Sequence, residues 1–170
     1  MNTEFNSPSV SGIRIIQYSE KRPPGIVDCD LIHILRALSA WKYTSVIGAR
    51  WIVSDLEFYP YRMDWSISNS FPEFEDVGSQ PKITISGERL MELSSLIHQF
   101  ESGLFLRVKN SNMKVDIIQK YQLMSAPCAF QATNVDIEIR IGDFSHFEVI
   151  AEDVNLIEFL ASAFSVVERI

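Results

Sequence analysis

Apolar residues recur with a helical period in three segments of the chain. In the first segment, Leu31, Ile34, Leu35 and Leu38 fall at positions i, i+3, i+4 and i+7, which places them in one stripe. Asp28 or Asp30 can cap this helix at its N-terminus. The spacing therefore predicts a core-facing helix that ends at about Trp41.

Two further segments show the same period. Ser86 is expected to cap the second helix, which ends at Gly103. Asp153 is expected to cap the third. The predicted inner faces are Leu90, Leu93, Ile97 and Phe100 for the second helix, and Leu156, Phe159, Leu160, Ala163, Phe164 and Val167 for the third.

Strand-like alternation fills most of the remaining chain. Strands are predicted at "GIRIIQYS", over 45–59 with a break at Gly48, and at "KITIS". "LFLRVKNSNMKVDII" predicts a hairpin that turns at 110–112. In a second hairpin, "VDIEIRI" and "FSHFEVIA" are joined by Gly142-Asp143, a two-residue turn of type II′.

This order of elements predicts the fold class. Hairpin-joined strands with few helices are typical of an α+β protein, here a mostly antiparallel sheet of about six or seven strands with three main helices packed on it. Its 170 residues fit a single domain, 1–170. Residues 1–10 are expected to be frayed, and 60–81 to form a long irregular segment.

Composition narrows the classes of partner. The net charge of −7 argues against nucleic acid, because a phosphate backbone attracts clustered Lys and Arg. Cys29 and Cys128 are too few for a disulfide framework, and no stretch suits a secretory signal or a membrane span. We therefore expect a cytoplasmic protein with no membrane partner.

The usual chemical motifs are missing from the sequence. No glycine-rich phosphate loop is present, and His33, His98 and His146 lack the closely spaced partners of a zinc site. His33 and His98 are expected to have structural roles on helices. Ser145 and His146 would point to opposite faces of a strand. The sequence thus predicts no cofactor, no metal and no catalytic residue.

Asp55 and Glu57 are the one pair that could do acid–base work. On a regular strand, residues i and i+2 share a face about 6.6–6.8 Å apart, which overlaps the carboxyl separations of glycosidases. The same spacing is common on solvated strands, as Asp136 and Glu138 show. A solvated surface, a binding face and a catalytic pair are therefore all alternatives for Asp55 and Glu57.

The binding alternative rests on aromatic residues near carboxylates. Large aromatic side chains anchor many protein interfaces, and acids steer a basic partner toward them. Alternatively, the aromatic residues lie in the core of the protein and do not bind a partner. The candidate partner-binding residues are Trp51, Asp55, Glu57, Tyr59, Tyr61, Asp64, Trp65, Glu73, Glu75 and Asp76.

Three stretches carry a resemblance to known proteins. "GDFSHFEVIAED" followed by "NLIEFLASAF", together with "RWIVSDLEFYP", resembles small bacterial α+β domains and some immunity proteins of toxin systems. The resemblance covers about half of the chain and its motifs concern the fold. It implies a binding module and identifies no functional residue.

These observations favour a non-catalytic protein over an enzyme. The leading hypothesis is an acidic immunity or inhibitor protein that binds a basic partner such as a toxin. The first alternative is a small-ligand domain or a hydrolase that uses Asp55 or Glu57. The second is a domain that associates with itself as a homodimer.

Overall fold

The computed structural model describes residues 11–16, 30–41, 46–60, 83–109, 135–142, 146–164 and 167–170. Seven strands and three helices lie in these ranges. In chain order they are β1 Ser11–Ile16, α1 Leu31–Ala40, β2 Arg50–Pro60, β3 Ile83–Ser86, α2 Gly87–Ser94, β4 Ile97–Val108, β5 Val135–Gly142, β6 His146–Ala151, α3 Val154–Ala163 and β7 Val167–Arg169. The predicted frayed start, the irregular segment and the turn at 110–112 lie outside the described residues.

The strands form one sheet in the order β3-β2-β4-β5-β6-β1-β7. Each described pair of neighbours runs antiparallel. The predicted class, a mostly antiparallel α+β fold with three helices, is confirmed.

Each helix begins at a polar residue, as the sequence predicts. Ser86 caps α2 by accepting a hydrogen bond from the Arg89 amide at 3.2 Å. Asp153 does the same for α3, accepting from the Asn155 amide at 2.9 Å. At the start of α1 the amide of Asp30 donates to Nδ1 of His33 at 3.1 Å. These bonds satisfy backbone groups that the helical ladder leaves open.

The main core lies between the helices and one face of the sheet, which we call the helical face. Strand residues such as Trp51, Phe105 and Ile139 pack there against helix residues such as Leu35 and Leu160. All five are fully buried. Burial of one large apolar side chain contributes about 1.5–3 kcal/mol before conformational entropy is subtracted.

The opposite face of the sheet, which we call the second face, also contains buried residues. Ile52, Leu104, Leu106 and Val135 form a smaller apolar cluster there. Ser54, at 2% exposure, and Glu138, at 0%, are buried as well. The strands are therefore more apolar than a sheet with one wet face requires.

The second predicted helix is too long. It ends at Ser94, and after two turn residues Ile97 begins β4, so Ile97, Phe100 and Gly103 lie on a strand. Spacings of three and four residues fit a helix, but this segment pairs with both β2 and β5. Tertiary pairing overrides the local pattern.

Two predictions near the C-terminus are also wrong in detail. Gly142 pairs with His146, so residues 143–145 connect the second hairpin in place of the two-residue turn. Helix α3 ends at Ala163, which is exposed, and Val167 opens β7 opposite Ile15. A three-residue strand is too short to show a period in the sequence.

Candidate functional site

A β-bulge interrupts β2 beside the predicted carboxylate pair. Ser54 pairs with Leu104 and Glu57 with Ser102, so three steps along β2 match two along β4. The extra residue breaks the alternation of side chains. Leu56 consequently packs against the core on the helical face, among the residues that also surround Trp51.

The bulge separates Trp51 and Glu57, which the sequence places on one face. Trp51 is fully buried on the helical face, and its indole N–H points to the carbonyl of Val46 at 3.4 Å. Trp51 therefore cannot contact a partner directly, and its assignment as a binding residue is wrong. Trp51 is a core residue, in agreement with the alternative interpretation of the aromatic residues.

Glu57 lies on the second face, because strand partners share a face and its partner Ser102 is two residues from Leu104. Its side chain is exposed. Within the described ranges it forms no ion pair. The bulge interrupts the regular alternation from which the Asp55–Glu57 spacing is predicted, and the catalytic pair stays a prediction.

Beyond the bulge, β2 has one described neighbour instead of two. Its pairing with β3 ends where Val53 meets Ile83. From Ser54 to Pro60 the strand pairs with β4 on one side, and no described strand lies on the other. Within the described structure, Glu57 thus lies on a stretch of strand edge.

The second face also carries a row of alternating charges that we call the charge ladder. It consists of Arg140, Glu148, Arg14 and Glu168, on β5, β6, β1 and β7 in that order. The Arg14 guanidinium donates to Glu148 at 2.7 and 3.2 Å and lies 3.4 Å from Glu168. The hydrogen bond to Glu148 raises the pKa of Arg14.

Buried Glu138 extends the charge ladder toward the middle of the second face. It is fully buried and accepts a hydrogen bond from Nε of Arg140. A buried carboxylate is costly without such a partner. The contact therefore accounts for an acid in the middle of the sheet without a catalytic role.

His146 lies on β6, two residues from Glu148 of the charge ladder. Its Nε2 atom is 3.6 Å from Oε1 of Glu148. The ring lies over Gly142, where an added Cβ would be 2.7 Å from Cε1 of the imidazole. One step beyond the Gly103–Ile141 pair, the register places Gly142 beside Ser102. Glu57, Ser102, Gly142 and His146 thus lie in one row across the four strands β2, β4, β5 and β6.

The other predicted site residues are only partly located. Asp55 and Tyr59 lie on β2. The remaining six lie outside the described residues: Tyr61, Asp64, Trp65, Glu73, Glu75 and Asp76. Cys29 and Cys128 are outside them too. Of the predicted partner-binding surface, the structure therefore describes Glu57 and the strand that carries it.

The described histidines have local roles. His33 caps α1, in agreement with the structural role predicted for it. His98 lies on β4, so its predicted place on a helix is wrong. Among the described residues, no group of three His, Cys, Asp or Glu side chains could hold a metal ion.

A basic cleft at the other end of β2 has no signal in the sequence. The cleft has a volume of about 280 Å³ and is lined by residues 48–50, residues 107–109 and Asp136. Its charged side chains come from three segments that are distant in the chain, and no local motif joins them. Alternation places Arg107 and Lys109 near the end of a strand, but it does not show that Arg50 lies beside them.

Comparison of the chain with protein-family models, curated proteins and solved structures found no match. In the described ranges, none of the helices has the length and apolar character needed to cross a membrane.

Proposed function

We propose that this protein is a non-catalytic binding module of the immunity or inhibitor type. It acts in the cytoplasm and binds a basic protein partner through the surface around Glu57. The observation that carries the proposal is the state of Glu57, an exposed carboxylate on a bulged strand with no cationic partner in the described ranges.

Glu57 differs in this respect from most acids of the sheet and helices. Seven described carboxylates already have an Arg or Lys partner, and a new cation would have to compete with that partner. Among the described residues, Glu57 has no such partner. The paired acids are Glu92, Asp136, Glu138, Glu148, Glu152, Glu158 and Glu168.

The strand edge gives the same surface a second means of recognition. A strand without a neighbour presents backbone N–H and C=O groups that an extended segment of a partner can pair with. Glu57 lies within this stretch, which runs from Ser54 to Pro60. Backbone pairing would supply affinity, and the carboxylate would select a basic segment.

The sequence that follows β2 supports a basic partner. Asp64, Glu73, Glu75 and Asp76 add four acids within twenty residues of Glu57, in a chain of net charge −7. Clustered acids accelerate encounter with a positively charged protein, and salt weakens this effect. A toxin nuclease with a basic surface has the required charge.

A pull-down from lysate of the native host, read by mass spectrometry, tests the proposal. The baits are the tagged wild-type protein, Glu57→Lys and Glu88→Lys. Glu88 is an exposed acid in the first turn of α2, on the helical side of the sheet, so both variants change the net charge equally. Loss of its favourable helix-dipole interaction costs only about 0.3–1 kcal/mol.

The proposal predicts that wild type and Glu88→Lys recover the same basic protein in near-equal amount. Glu57→Lys should recover much less, most clearly in low-salt buffer, where the charge of residue 57 is least screened. Equal recovery by all three baits would contradict the assignment of Glu57. Recovery of no protein by wild type would contradict the proposed function.

A further inference from the structure

We propose that the basic cleft is a second binding site, for a small molecule that carries a phosphate or carboxylate group. Arg50, Arg107 and Lys109 line it together with a single acid, Asp136. It lies at the start of β2, seven residues from Glu57. At about 3.3 Å per residue this is a separation of about 23 Å, so the two sites are separate.

The charges of the cleft leave one cation uncompensated. Arg107 pairs with Asp136, and Lys109 pairs with Glu152 at 2.6 Å. Arg50 is partly buried and forms no ion pair within the described part of the chain. A net positive cleft in a chain of net charge −7 is a local departure from the overall charge.

The Arg107–Asp136 pair fixes one of the cationic groups in place. Arg107 donates from Nε at 2.8 Å and from Nη2 to the two carboxylate oxygens. Both side chains are largely buried, at 14% and 19% exposure. Nη1 takes no part in this pair. A guanidinium held in this way loses little entropy when it binds an oxyanion.

The size of the cleft limits the ligand. Pockets for drug-sized molecules have volumes of about 300–1,000 Å³, and this cleft lies just below that range. The planar donors of an arginine suit the paired oxygens of a phosphate or a carboxylate, and two arginines line this cleft. We therefore infer a small metabolite with one or two such groups.

Isothermal titration calorimetry at low salt tests this site with three probes: inorganic phosphate, glycerol 3-phosphate and malate. The variants are Arg50→Gln and, as a matched control, Arg36→Gln. Arg36 is exposed on α1, so Arg36→Gln removes the same charge from the helical side of the sheet. Amide-resolved NMR spectra of each variant verify that the fold is retained.

We expect at least one probe to bind with a dissociation constant of about 1 mM or below. Arg50→Gln should weaken it by about tenfold or more, the scale of one charge-assisted hydrogen bond, and Arg36→Gln by less than about twofold. Tighter binding of the two phosphates would identify a phosphate site, and tighter binding of malate a carboxylate site. Glu57→Lys should leave this binding unchanged.

Two results would overturn the proposal. One is the absence of binding by all three probes at about 10 mM, well above the expected constant. The other is equal weakening by Arg50→Gln and Arg36→Gln, which would reflect net charge alone. Neither result bears on the proposed protein partner, because the calorimetry does not involve the Glu57 surface.

Discussion

The α-carbon of Gly87 lies directly against the carbonyl group of Val46. A Cβ built on Gly87 would be 1.5 Å from that oxygen and 2.5 Å from the carbonyl carbon. The amide of Gly87 also donates to the carbonyl of Ala49 at 2.8 Å. The first residue of α2 thus holds the turn at 46–49, and this turn forms one wall of the basic cleft.

Gly87→Ala should therefore be strongly destabilising. Overpacking in a close-packed region costs about 1–3 kcal/mol, and here the obstacle is backbone that cannot rotate away. Chemical denaturation measures the loss. Gly12→Ala is the matched control, because its closest contact at 2.8 Å is with the exposed side chain of Ile170, which can move. Equal losses in the two variants would contradict the close approach of Gly87 and Val46.

Asp136→Asn should lower the free energy of unfolding by about 1–3 kcal/mol, because it leaves the largely buried Arg107 without its ionic partner. Glu92→Gln removes a more exposed pair with Arg89 on α2 and should cost no more than about 0.5 kcal/mol. Urea denaturation of both variants makes the comparison. A smaller loss for Asp136→Asn than for Glu92→Gln would show that burial does not strengthen the Arg107 pair.

Ser94→Ala should stabilise the protein. The Oγ atom of Ser94 is buried and has no hydrogen-bond partner in the described structure. Removal of an unsatisfied hydroxyl, with the higher helix propensity of alanine, should raise the free energy of unfolding by about 1 kcal/mol. Ser39→Ala, on the exposed side of α1, should gain only from the higher helix propensity of alanine. Its free energy of unfolding should therefore rise by less than about 0.5 kcal/mol. Thermal unfolding of both variants measures these changes. A lower melting temperature for Ser94→Ala than for wild type would contradict this account.

Glu158 should titrate below its ordinary pKa of 4.5, because Arg169 donates two hydrogen bonds to its carboxylate at 2.6 Å. A carboxyl whose pKa is lowered by folding adds stability above its unfolded pKa. That contribution is lost as the pH falls through the lower folded pKa. An NMR titration should show the pKa of Glu158 rising toward 4.5 in Arg169→Gln. An equal pKa of Glu158 in wild type and in Arg169→Gln would show that the Glu158–Arg169 pair does not form in solution.

The local signals in the sequence predicted most of the fold. Capping residues placed the starts of all three helices, because a cap is a contact between neighbours in the chain. The alternation in "VDIEIRI" predicted β5, because this pattern is also local to one segment of the chain. Ile97 and Phe100 were assigned to a helix because three- and four-residue spacings suit a helix, whereas pairing with β2 and β5 makes them part of a strand.

The site was less predictable, because it depends on contacts between distant segments. Nothing in "RWIVSDLEFYP" shows that Leu56 turns into the core, and that turn separates Glu57 from Trp51. The basic cleft likewise needs the pairing of β2 with β4, which brings Arg50 and Arg107 into the lining of one cleft. The place of Glu57 on a strand was predicted, since an acid within an alternating segment is visible in the sequence. Its role in binding stays a prediction.

The central claim, that Glu57 faces a basic partner, is tested most directly by association kinetics with the protein recovered by pull-down. Stopped-flow rates would be measured for wild type, Glu57→Lys and Glu88→Lys at low and high ionic strength. We predict that Glu57→Lys slows association about tenfold or more at low salt, that salt reduces this difference, and that Glu88→Lys has a much smaller effect. Equal association rates for Glu57→Lys and Glu88→Lys at low salt would contradict the claim.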